Sequence, residues 1–138
     1  MHAPATGGNA VPLGGEPDGI SPQESFNGDL LYFAARNANT ALRTITLTSA
    51  LPEARVDGIP PVADETHWLV VPGGIYFVPQ EARNSVHYFD FSTKKIRKIF
   101  DARKDFGDAL SVSPDGRWLL YAQQDQENTD IMLVENFR

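Results

Sequence analysis

Three histidines, a Ser-Pro-Asp-Gly segment, an acidic loop and two glycine pairs are the residues of this 138-residue chain whose types suit catalysis or ligand binding. His2, His67 and His87 are far apart and share no metal-ligand spacing. Asp125, Glu127 and Asp130 gather in one stretch, but without the alternating acids and central glycine of a calcium loop they predict a solvated hairpin tip. Ser113-Pro114-Asp115-Gly116 sets a serine near an acid. Pro presets φ, Asp bonds the backbone and Gly accepts positive φ, so the segment reads as a turn and not as an activated nucleophile. No Gly-x-Ser-x-Gly elbow is present. Gly7-Gly8 and Gly14-Gly15 lack the Lys-Ser/Thr that completes a phosphate loop. With no cysteine, disulfides and thiolate metal sites are excluded. The sequence therefore nominates no catalytic residue, no metal site and no cofactor.

The elements that would position these residues follow a fixed period. Phe33, Phe77 and Tyr121 recur every 44 residues, each closing a short apolar run behind a turn signal. Ser25 to Phe33 aligns with Ser113 to Tyr121, and Pro72 to Phe77 fills the same slot between them. Ile45 and Leu47 lie 44 residues before Phe89 and Phe91, so a second strand keeps the register too. A period in the 40s built only of strand-like segments predicts β-propeller blades, about three per chain, each a sheet of four antiparallel strands.

The runs Leu30 to Ala34, Ile75 to Val78 and Trp118 to Ala122 are continuously apolar. A sandwich strand with one wet face would alternate, so these strands are expected to be covered on both faces. No stretch shows the 3.6-residue periodicity that helices would need. The expected division of the single 1–138 unit is 19–57 for the first blade, 62–100 for the second and 108–138 for a third that lacks its outer strand. Residues 8–13 read as a leftover outer strand, because Leu13 lies 43 residues before Val56 and Val56 lies 43 before Ile99. Three blades are too few to close a ring, which predicts completion by oligomerisation. A homodimer or higher ring would form when the 9–13 strand of one copy completes the last sheet of another.

The period also selects candidate binding residues. His67 aligns with Gln23 and Ser111 at the 44-residue step, three polar residues at one level of the expected inner wall. They are either hydrogen-bonded structural positions or part of a ligand or partner surface. Arg36, Gln80 and Gln124 occupy equivalent places after the second strand of each unit, where exposed loops carry recognition. Arg36, His67, Gln80 and Gln124 are thus the expected binding positions. His87, in a strand of alternating character, is expected to be exposed.

Composition narrows the partners. A net charge of −6 disfavours nucleic acid, and Lys94-Lys95-Ile96-Arg97-Lys98 alternates as a solvated outer strand would. No apolar run approaches the roughly 20 residues that span a bilayer, so membrane insertion is not expected. The N-terminus has no basic region followed by an apolar stretch, so no signal peptide is read in this chain.

With Leu110 to Tyr121 and its Ser-Pro-Asp-Gly-Arg turn in hand, the chain resembles the TolB-like, WD-repeat-like β-propellers of bacteria. The ending Asp130 to Arg138 also looks like the C-terminus of such propellers. The signature is complete in the third unit, whereas the first has Phe26-Asn27 where Pro-Asp is usual and the second lacks it. The resemblance implies a C-terminal three-blade portion of a larger bacterial multidomain protein, periplasmic or cytoplasmic. It also implies that the motif residues are structural. The expected function is a non-enzymatic scaffold for protein–protein interaction or ligand sensing, able to self-assemble. The alternative is the accessory propeller of a peptidase- or glycosidase-type hydrolase, with no activity of its own.

Overall fold

The computed structural model describes residues 5–10, 19–35, 40–47, 53–125 and 128–135. Among them every regular element is a β-strand. The first sheet runs β1 (Gly19–Glu24), β2 (Leu30–Ala35), β3 (Leu42–Thr46) and β4 (Ala54–Arg55) in the order β1-β2-β3-β4. The second repeats that meander as β5 (Trp68–Val71), β6 (Gly74–Phe77), β7 (Ser85–Asp90) and β8 (Ile96–Asp101). The third has three strands, β9 (Phe106–Val112), β10 (Trp118–Asp125) and β11 (Asn128–Glu135), in the order β11-β10-β9. All neighbouring strands are antiparallel. The chain is thus all-β, in three antiparallel sheets of propeller-blade type.

The covered-on-both-faces expectation is met most fully in β6. Successive strand side chains point to opposite faces. Ile75 and Phe77 accordingly pack with Tyr32, Ala34 and Leu42 of the first sheet, while Tyr76 and Val78 pack with Leu110, Leu119 and Tyr121 of the third. Trp68, Ile75, Phe77 and Phe89 are almost wholly buried, each at 1 % exposure or less. Such side chains each contribute about 1.5–3 kcal/mol relative to an exposed position. Linker residues Ile59 and Val62 seal the first junction, and Phe106 with Phe100 and Tyr121 forms an aromatic knot at the second.

The third sheet is covered on one face only. Leu119 and Tyr121 turn inward, whereas Leu120, paired with Leu133, and Ala122, paired with Ile131, turn away from the second sheet. Ile131 is 79 % and Leu133 56 % exposed. The 44-residue register slips here. Tyr76 opposes Tyr88 in the second sheet, but Leu120 opposes Leu133, one residue later than the period gives. β9 begins at Phe106, ahead of the expected boundary at 108, because the strand continues through a bulge. Ala109, at that bulge, has φ 75°, and Ser21, 88 residues earlier at the bulge of β1, has φ 52°. The two innermost strands therefore share an irregularity at the same level of the repeat.

Of the expected leftover strand, residues 8–10 are not in a strand and residues 11–13 lie outside the described residues.

Candidate functional site

The sheets are joined by polar arms as well as apolar packing. In β5 the backbone groups of Trp68 and Val70 point away from β6, because it is their neighbour His67 whose carbonyl accepts from the Val78 amide. Gln23, on β1, reaches across and meets both. Its Nε2 donates to the Trp68 carbonyl at 3.0 Å, and its Oε1 accepts from the Val70 amide at 2.8 Å. A single side-chain amide therefore satisfies an open strand edge in the neighbouring sheet.

His67 does the corresponding work one unit on. It is buried, and its Nε2 lies 2.6 Å from the Gly107 carbonyl on β9. A carbonyl only accepts, so Nε2 carries the proton, leaving Nδ1 as the lone-pair nitrogen. Nδ1 is buried with no hydrogen-bond partner. Of the two readings left open for His67, the geometry favours the structural one. Ser111, the third member of the set, is exposed.

The other three positions expected to bind are not brought together with it. Gln80 is exposed, on the segment following β6, with its amide bonded to the Pro61 carbonyl at 2.9 Å. Gln124 pairs with Thr129 near the end of the β10–β11 hairpin. Arg36 lies outside the described residues. Gln80 comes after β6, whereas Gln124 lies inside β10 and not after it as expected, because the β10–β11 hairpin is paired as far as Asp125. Both sit at the end where His67 precedes β5, so three of the four share one end of the stack.

The Ser113 and Ser25 hydroxyls are engaged in turns. The Ser113 hydroxyl donates to Asp115 Oδ1 at 2.5 Å and accepts from the Trp118 amide at 3.0 Å, inside a turn with Gly116 at φ 68°. That bond and the Arg117 amide hold the Asp115 carboxyl below its ordinary range. The first sheet makes the same turn, with Ser25 bonded to Asn27 at 2.7 Å and to the Leu30 amide at 3.0 Å. Both are turn fasteners.

Ser85, His87 and Asp101 form the second constellation, not legible in the sequence because Asp101 comes from the neighbouring strand. His87 Nε2 lies 3.1 Å from Ser85 Oγ, and Ser85 also bonds the Asp101 carboxyl on β8. A hydroxyl has one proton, and the carboxylate takes it, so His87 donates to Ser85 and does not accept from it. The chain of hydrogen bonds runs from His87 through Ser85 to Asp101, opposite to the direction that would activate a serine. Ser85 is 3 % exposed, which also closes it to a substrate. His87 is half-buried, contrary to the expected exposure, because β7 turns it against the Phe77 ring at 5.7 Å. Burial, then the nearby Lys98 charge, push its pKa below the ordinary histidine value. Among the described residues no group of three or more His, Cys, Asp or Glu is placed to hold a metal.

Two grooves open between the sheets, each about 550 Å³. One lies between the first and second sheets and is walled by Tyr32, Phe89 and Phe91, with Lys94 at its rim. The other lies between β8 and β11 and is floored by Phe100, Tyr121, Met132 and Val134, with Arg103 and Lys104 at its edge. His67 and Gln80 line neither. The basic run from Lys94 to Lys98, at the start of β8, is exposed throughout as expected, and the Arg97 guanidinium lies 5.1 Å from the Tyr88 ring. No family model and no curated protein matches the chain.

Proposed function

We propose that the chain is a non-enzymatic, propeller-type scaffold for protein–protein interaction or ligand sensing, forming the C-terminal blades of a larger bacterial protein of TolB-like kind. The observation that carries this reading is the second sheet, buried on both faces between two sheets of the same meander and bridged by Gln23 and His67. Such stacking is how blades of a propeller pack, and a rigid stack presents its connecting loops as a recognition face. The bonding of Ser113 and Ser85 supports the absence of catalysis, since neither hydroxyl is prepared for attack. Recognition falls to the end of the stack that carries Gln80 and Gln124, joined by Arg36 from its place in the repeat, with His67 holding the wall behind it.

The ring closes by self-association. β11 is the outermost strand of its three-stranded sheet, whereas the other two sheets have four. The 9–13 segment of a second copy would supply the missing strand.

The test is a ligand screen by thermal shift, joined to affinity capture with the chain as bait. A partner whose binding is lost in the triple variant Arg36→Ala, Gln80→Ala, Gln124→Ala supports the scaffold. Turnover of an ester, peptide or glycoside substrate by the purified chain, with no partner bound, overturns it.

A further inference from the structure

The two internal junctions share one apolar plan, and each adds a polar arm that meets the next sheet's backbone at its own place. At the first, Tyr32, Ala34 and Leu42 meet the second sheet while Gln23 reaches its inner strand. At the next, the residues 44 positions on, Tyr76, Val78 and Val86, meet the third sheet while His67 reaches the Gly107 carbonyl. The third sheet carries the same set again. Leu120 and Ala122 repeat the second-strand pair, Ile131 and Leu133 oppose them on β11, and Ser111 takes the place of the polar arm. This face looks outward. Ile131 and Leu133 are largely exposed, and Ser111 is exposed.

The acceptor half of the plan lies at the other end of the chain. Gly19 stands 88 residues before Gly107, on the first sheet's inner strand, and is exposed. Both glycines precede by two residues a left-handed residue, Ser21 or Ala109. Leu31, Phe33 and Ile45 stand where Ile75, Phe77 and Phe89 stand in the second sheet. Leu31 is half-buried, while Phe33 and Ile45 are already buried within the chain. Docking there uses Leu31 and the Gly19 edge.

We propose that the outward face of the third sheet docks the first sheet of a second copy, with the Ser111 hydroxyl donating to the partner's Gly19 carbonyl as His67 donates to Gly107. The inference rests on the scaffold reading and adds the interface. A like sheet is the occupant because this apolar face repeats the one that meets a sheet at both internal junctions, and Gly19 with Ser21 repeats the Gly107–Ala109 bulge that accepts the His67 arm. The contact is head-to-tail, so each copy has one face of each kind, and it becomes a ring where the rotation closes. Serine is the shortest arm of the three, so this junction is the weakest and the natural place for the stack to come apart.

Sedimentation equilibrium across protein concentrations, with circular dichroism to confirm folding, tests it. The wild type is expected to assemble reversibly. Ile131→Asp with Leu133→Asp, at positions exposed in the single chain, should weaken assembly at least roughly a hundredfold by placing charge in an apolar contact. Ser111→His, restoring the longer arm that meets Gly107, should tighten it about tenfold, the worth of one added hydrogen bond. A wild type that stays monomeric overturns the inference, while partner capture still judges the scaffold on its own. Assembly lost in Val11→Asp with Leu13→Asp, yet intact in the Ile131/Leu133 variant, overturns it in favour of strand exchange alone. A Ser111→His variant with unchanged affinity overturns the bridge to Gly19.

Discussion

Replacing Gln23 by alanine removes two hydrogen bonds that tie the first sheet to the second, the donation to Trp68 at 3.0 Å and the acceptance from Val70 at 2.8 Å. Each such bond has a net worth of about 0.5–1.5 kcal/mol, and a backbone group left dry costs more than the bond itself was worth. The site is only partly buried, so water reaches one of the two groups and moderates the loss. The expected destabilisation is therefore about 2 kcal/mol, or roughly 6 °C in melting temperature for a chain of this size. Gln23→Glu separates the two bonds. It keeps an acceptor for Val70 but turns a second oxygen toward the Trp68 carbonyl, so at neutral pH it should be at least as damaging as alanine, despite its closer shape. Urea denaturation gives the free energies, and hydrogen exchange at the Val70 amide reports the local bond. If Gln23→Ala unfolds within about 0.3 kcal/mol of the wild type and Val70 exchanges no faster, the polar arm contributes nothing and the junction is held by apolar packing alone.

Three further outcomes follow from single residues. A Cβ at Gly74 would lie 2.0 Å from the Phe89 carbonyl oxygen, so Gly74→Ala must displace the β6–β7 ladder and should cost more than about 3 kcal/mol in chemical denaturation. Ser113→Ala frees the Arg117 and Trp118 amides from their hydroxyl acceptor and should cost about 1 kcal/mol, with no effect on partner binding if the serine is only a turn fastener. His87 has a folded pKa below its ordinary value of 6.5, so the unfolded chain takes up its proton first. Stability should be full above about pH 6.5 and decline as pH falls below it, and His87→Gln should flatten that decline in urea titrations. A second decline belongs to Asp90, Asp101 and Asp115, whose folded pKa values lie below 3.8, and it should appear only under more acidic conditions.

The 44-residue register was legible because the aromatic closing each second strand must reach the same depth in each sheet. The unbroken apolar run Ile75 to Val78 announced burial on both faces, and β6 has it. The slip in β11 was not legible, because the third strand's spacing depends on the length of the hairpin before it and not on the core. Nor was the early start of β9 at Phe106, whose strand carries through a bulge at an alanine that no residue preference marks. At the site, alignment placed Gln23, His67 and Ser111 on one level. It could not show that the arms reach the backbone of the next sheet, since a hydrogen bond to a carbonyl leaves no trace in the identity of the residue that supplies it. Ser85, His87 and Asp101 were invisible as a group for a related reason. The Ser85–Asp101 pair is cross-strand, and only the β7–β8 register brings it to His87.

The flanking of the second sheet by the other two gives unfolding a direction. A neighbour on each side doubles the interactions that hold a middle unit, while an outer unit loses only one set when it melts. The stack should therefore fray from its outer sheets toward its centre, and the third sheet, with three strands and a bare side, is the first to yield. The segment from Trp68 to Asp101 forms the last cooperative remnant, so the span that any chaperone or protease meets early lies outside the best-protected amides, in the sheet that follows them.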